Sequence, residues 1–228
     1  MAPFLILALG VRPTTAVGTD LVYGAVTKMV GAWVHYRQET VDLPVVRKLA
    51  TGSVPAGLLG ALLTLLLPRY THQAEQYVGR AIGALLIIVA LVLVARTLSL
   101  FPTAVISPER LKFLRERGTI VWGAVVGFCV GCTSVGSGSL LAPFLMLLYP
   151  SKTSKVVGTD VFHAALLVSA AGLAHATAGG VEWNLVPVLL LGSIPGVLLG
   201  SKLACHIPAR PLRTGLAAVL LVTGYRMF

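Results

Sequence analysis

The sequence predicts an all-α integral membrane protein built from two related halves, on three observations. The 228-residue chain is 56% hydrophobic and 11% charged, where soluble domains carry about 25% charged residues. Apolar runs of about 20 residues, each able to cross a hydrocarbon core of about 30 Å, recur along it. The chain also repeats itself at a shift of 140 positions.

Six runs read as spans: Thr15–Tyr36, Leu43–Leu67, Gln76–Leu100, Ser154–Ala176, Leu185–His206 and Leu212–Phe228. A longer run, Thr119–Tyr149, is broken mid-way by glycine. It predicts a re-entrant or discontinuous helix, which makes about 7–8 membrane segments in all. The opening stretch Met1–Leu9 is too short to span and lacks the basic region of a signal peptide, so it reads as the tail of a helix.

The repeat aligns residues 2–68 with 142–208 without a gap, and 22 of 67 positions are identical. Ala2-Pro3-Phe4-Leu5 matches Ala142-Pro143-Phe144-Leu145, and Val17-Gly18-Thr19-Asp20 matches Val157-Gly158-Thr159-Asp160. His35 matches His175, and Gly52-Ser53-x-Pro55 matches Gly192-Ser193-x-Pro195. Residues 1–101 form the first repeat, 102–118 a basic linker and 119–228 the second repeat. The first repeat has no counterpart of the glycine-rich helix Ile120–Leu141, which predicts a truncated chain or a start further upstream.

Charge sets the expected orientation. If Thr119–Tyr149 crosses once, Lys and Arg divide almost evenly between the two sides. If it enters and leaves on one side, 13 basic residues share a side, and the other holds four: Arg12, Arg69, Arg80 and Arg226. Only the second arrangement obeys the positive-inside rule. It makes the repeats inverted and the basic linker cytoplasmic. Two half-helices of about 11–15 residues reach only about 16–22 Å, enough to touch the midplane and return.

The net charge of +10 does not point to nucleic acid, because the basic residues sit between apolar runs without interleaved aromatics. Cys129-x-x-Cys132 could be a redox pair or half a metal site. Without a second pair it reads as packing, and no metal or cofactor is expected. The chain shows no HExxH, phosphate loop or nucleophile–base set, so no enzyme is expected.

Several residues could carry transport chemistry. At the hairpin tip, Thr133, Ser134, Gly136, Ser137, Gly138 and Ser139 combine hydroxyl donors with backbone that a ligand can approach. A broken helix there exposes N–H groups that favour an anion; close packing of small residues is the plain alternative. Thr19 and Thr159 are expected as anion contacts, and Asp20 and Asp160 as coupling-ion or proton sites or merely as helix caps. Lys28 is the only basic residue deep in an apolar run and is expected to face Asp20 or an anion. His163, opposite Tyr23 in the repeat, is expected to line the same cavity. His35, His175, Pro55 and Pro195 are candidate gates; interfacial caps and helix kinks are the alternatives. Trp33, Trp122 and Trp183 are candidate interface anchors.

Gly136-Ser137-Gly138-Ser139-Leu140-Leu141-x-Pro143, the paired V-G-T-D, the later His with G-x-V-(D/E)-W, and Gly192–Gly200 as G-S-x-P-G-x-x-x-G together resemble the sulfite exporter TauE/SafE family of membrane permeases. The resemblance covers essentially the whole chain. It implies transport of sulfite, organosulfonates or related small anions, and a multi-pass location in a bacterial inner membrane. The chain departs in lacking a glycine-rich segment before Ala2 and in carrying Asp20 and Asp160 where many members have serine. The expectation is therefore a secondary transporter with a small anion and the lipid bilayer as partners. A homodimer is admitted as an assembly. A truncated or non-transporting membrane assembly subunit is the alternative.

Overall fold

The computed structural model describes residues 1–70, 73–97, 111, 113–135, 137–149, 151–193 and 209–227, and every element among them is helical. The order is α1 (Ala2–Leu9), α2 (Pro13–Arg37), α3 (Leu43–Tyr70), α4 (Ala74–Thr97), a π-helical turn Leu114–Gly118, α5 (Thr119–Thr133), α6 (Ser137–Leu148), α7 (Thr153–Thr177) and α8 (Ala209–Tyr225). Residues 185–193 are also helical.

Among the described residues, three stretches are long and apolar enough to cross a membrane: Leu43–Leu67, Glu75–Val92 and Ser154–Thr177. The 25-residue α2 has the length, but Asp20 and Lys28 lower its hydropathy. The expected span Leu185–His206 lies mostly outside the described residues, and α8 has 17 residues.

The region 119–149 folds back on itself. Helix α5 ends at Ser134, whose left-handed backbone (φ 59°) closes it through a bond from its N–H to the Val130 carbonyl at 2.7 Å. The far ends of the hairpin then meet: Arg115 Nε donates to the Leu148 carbonyl at 2.6 Å, and the Tyr149 hydroxyl donates to the Arg115 carbonyl at 2.9 Å. Thr119 Oγ1 lies 2.9 Å from the Tyr149 hydroxyl. Trp122 and Phe144 stack between the arms at 5.5 Å. Trp122 is thus partly buried by packing within the hairpin, whereas Trp33 and Trp183 are 61% and 56% exposed.

Helices α3 and α5 approach until backbone touches backbone. A Cβ on Gly52, Gly127 or Gly131 would collide with the Ile120, Ser53 or Gly57 carbonyl. Small residues are what permit such a seam between apolar helices. Helix α3 runs unbroken through Gly52-Ser53-Val54-Pro55, so the first copy has no unwound turn there.

The two halves interlock reciprocally. Helices α2 and α7 occupy equivalent positions in the repeat, and their preceding residues Arg12 and Lys152 have almost the same backbone (φ −55°, ψ 136° and φ −55°, ψ 140°). They pack antiparallel, the start of each against the chain that follows the other. Two satellite cores mirror this. One joins Leu145 and Val156 to Val45 and Leu49; the other joins Leu5 and Ala16 to Leu185 and Leu189. A shift of 140 turns each set into the other. The main core lies between them, around Val17, Leu21, Ile82, Val126, Val130 and Leu167.

Candidate functional site

Ionisable residues of both halves converge beside the broken hairpin. Asp160 is 8% exposed and faces the start of α6, where a Cβ on Gly138 would lie 3.3 Å from its Oδ2. Its Oδ1 is buried with no hydrogen-bond partner among the described residues. One turn on, His163 is fully buried. Its Nε2 lies 2.7 Å from Ser53 Oγ, and its Nδ1 is without a partner among the described residues. Lys28, on α2, lies within electrostatic range of Asp160, Asp20 and His163. Charges and orphaned polar atoms inside an apolar bundle are costly, so their convergence needs a reason beyond packing.

Asp20 and Asp160 are not caps of their own helices, since α2 and α7 begin two turns earlier at Pro13 and Thr153. The Asp20 carboxylate instead accepts at the start of α1, from Ala2 N at 2.8 Å and the Met1 amine at 3.1 Å.

Thr19 and Thr159 sit at opposite ends of the α2/α7 pair. Thr19 Oγ1 donates to the Thr15 carbonyl at 2.8 Å and accepts the Glu182 N–H at 2.9 Å. Thr159 Oγ1 donates to the Lys155 carbonyl at 2.6 Å and accepts the Asp42 N–H at 2.9 Å. The repeat maps Asp42 onto Glu182, so the two latches are one arrangement used twice. The hydroxyls read above as anion contacts are therefore engaged in joining the halves. Gly18 and Gly158 permit it, because a Cβ on either would strike the Gly180 or the Thr40 carbonyl.

The histidines differ. His35 Nδ1 lies 2.9 Å from Thr40 Oγ1, which itself donates to the His35 carbonyl at 3.0 Å. Gly180 stands where the repeat would have a second Thr40, so fully buried His175 has no partner for either ring nitrogen among the described residues.

At the hairpin tip Thr133 Oγ1 donates to the Cys129 carbonyl at 2.6 Å and accepts the Val135 N–H at 3.3 Å. Ser134 is half-buried. Gly136 and the side chains of Ser137 and Ser139 lie outside the described residues, as does Pro195. Pro55 lies on the exposed side of α3. Cys132 Sγ points to the Gly60 carbonyl at 3.6 Å. The structure thus brings Asp160, His163 and Gly138 together, places Asp20 at the start of α1 near the other end of the helix pair, with Lys28 between the two acids along α2, and leaves Thr19, Thr159, His35 and His175 at the ends of that pair.

Sequence reasoning missed the role of Ser53 as partner to His163. It also missed the backbone N–H groups of Asp42 and Glu182. The paired V-D and V-E of the repeat carried that second signal.

Comparison with known proteins adds a family. The profile described as Sulfite exporter TauE/SafE matches residues 1–227. A Bacillus subtilis (strain 168) protein described as probable membrane transporter protein YjnA is 41% identical over 227 residues, covering 98% of this chain and 88% of that protein. A second from the same strain, probable membrane transporter protein YdhB, is 22% identical over 210 residues, covering 92% of this chain and 82% of its own. Probable membrane transporter protein y4hK of Sinorhizobium fredii (strain NBRC 101917 / NGR234) is 24% identical over 223 residues, covering 96% and 84%. No solved structure matches.

Proposed function

The chain belongs to the sulfite exporter TauE/SafE family, and we propose that it is a secondary transporter for a small sulfur-containing oxyanion such as sulfite or an organosulfonate. The observation that carries the reading is the Lys28 cluster. A cation on one half lies within electrostatic range of Asp160 and His163 on the other, each with a buried atom that has no partner among the described residues, beside a broken helix. The anion is held by Lys28 and His163, with the donors of the hairpin tip from Thr133 to Ser139. Acids near an anion are repulsive unless neutralised, which makes Asp160, and Asp20 towards the other end of the helix pair, the coupling groups, for protons or a cation.

Access alternates between the ends of the α2/α7 pair. The reciprocal antiparallel packing supports an inverted repeat, because a two-fold axis that exchanges antiparallel helices lies across them and so in the plane of the membrane. The charge distribution agrees. Arg37, Arg47, Lys48, Arg115, Arg117, Lys152 and Lys155 gather at the end where the hairpin opens, and Arg12, Arg80 and Arg226 at the other. In this reading the basic end faces the cytoplasm of a multi-pass inner-membrane protein with about 7–8 segments, as the positive-inside rule expects.

The test is uptake of labelled sulfite and methanesulfonate into proteoliposomes, by the chain as given and by a Lys28→Met variant. Saturable flux of a sulfur oxyanion that falls at least about tenfold in the variant is expected, the usual loss when a charged hydrogen-bond partner is removed. Flux of none of these anions, or equal flux in both proteins, would reject the reading.

A further inference from the structure

A second cavity lies away from the Lys28 cluster, at the end of the molecule that carries Arg12. It measures about 470 Å³ and opens between the end of α1, the start of α2, the first turns of α4 and the residues after α8. Sites for small ligands run from about 300 to 1,000 Å³. Its charged lining is Glu75, Arg80 and Arg226.

The acid in this cavity is already committed. Glu75 Oε2 accepts the Thr14 N–H at 3.0 Å, and its Oε1 accepts the Thr14 hydroxyl at 2.7 Å. Its negative charge is set against the exposed N–H groups and positive dipole end of α2. The two arginines have no such commitment. Neither guanidinium makes a hydrogen bond or ion pair with any described residue. Two guanidinium groups on separate elements, α4 and the turn after α8, thus border one cavity with their forked donors unused. The neighbouring walls are apolar, from Ile6 and Met227. Guanidinium forks match the paired oxygens of a carboxylate, sulfonate or phosphate. Apolar walls beside them suit an oxyanion that bears a carbon substituent.

We propose that this cavity binds a small oxyanion group between Arg80 and Arg226. It is an outer site distinct from the Lys28 cluster, and it does not depend on what that cluster carries. The oxyanion chemistry is shared by a soluble sulfonate and by the phosphate of an anionic lipid, and the experiment separates the two.

The protein is purified as the full chain and placed in phosphatidylcholine nanodiscs. Methanesulfonate binding is followed by calorimetry, with chloride as control. The background is Lys28→Met, so that the central site does not contribute. Adding Arg80→Gln with Arg226→Gln is expected to weaken binding at least about tenfold, and Arg80→Lys about threefold, because the charge stays but the fork is lost. Both arginines are exposed, so neither change removes a contact that holds the fold. Nanodiscs with added phosphatidylglycerol identify the source. Competition that disappears in the double variant assigns the pair to lipid phosphate, and equal affinity with and without the lipid assigns it to the soluble anion. Unchanged methanesulfonate affinity in the double variant, or equal binding of chloride, overturns the outer site. Failure of the central site reads differently: transport is then unaffected by Lys28→Met.

Discussion

The two ends of the α2/α7 pair are built on one plan and finished differently. At each, a threonine directly after a glycine contact accepts a backbone N–H from the opposite half: Thr159 from Asp42, Thr19 from Glu182. At the Asp42 end an ion pair is added, Lys155 Nζ to Asp42 Oδ2 at 3.4 Å. The other end has Thr15 where the repeat would place that lysine. The Asp42 end also has Thr40 holding His35, whereas the Glu182 end has Gly180 and a buried His175 with no partner among the described residues. The shared latch is what duplication preserved, and the divergent residues are where the ends were tuned apart. In an alternating-access account, the Asp42 end is the more firmly closed of the two.

The comparison can be broken at its shared part first. Gly18→Val and Gly158→Val each force a side chain into the carbonyl of the opposite half, and each is expected to cost about 3 kcal/mol by overpacking. Gly24→Ala, in open space, should leave the melting temperature unchanged or higher. Similar losses at 18 and 158 would support equivalence, and a loss at only one would break it. Thr19→Val and Thr159→Val come next, at about 2 kcal/mol each, because each leaves a backbone N–H of the other half unsatisfied. Denaturation of the purified variants measures both series.

Lys155→Met sharpens the difference between the ends and has the smallest effect. The lysine side chain is 46% exposed, and such pairs contribute about 0.5 kcal/mol, less in high salt. A salt-dependent loss at this end, with none on substituting Thr15, is the expected pattern.

Much of this was legible in the sequence. The shift of 140 matched α2 to α7, the glycine break anticipated the hairpin, and a lysine among apolar residues pointed to the helix that faces Asp160. What stayed hidden depended on the opposite half. Nothing local in Thr19 or Thr159 shows that its partner is a backbone N–H more than 100 positions away. That contact exists only once the halves are docked, so the threonines read as ligand contacts. The stacking of Trp122 on Phe144 was hidden for a similar reason, because it exists only once the two arms of the hairpin are folded together. The contrast between His35 and His175 was readable from Thr40 and Gly180, five residues on, but burial alone made it matter.

The central claim is that equivalent ends of the two halves face opposite sides of the membrane. Arg12 and Lys152 are equivalent in the repeat, both exposed, and both directly precede their helices. Arg12→Cys and Lys152→Cys, in a background with Cys129, Cys132 and Cys205 replaced by alanine, can be labelled in intact cells with a membrane-impermeant maleimide. The account predicts that Arg12→Cys is labelled from outside and Lys152→Cys only after permeabilisation. Labelling of both from the same side would contradict it.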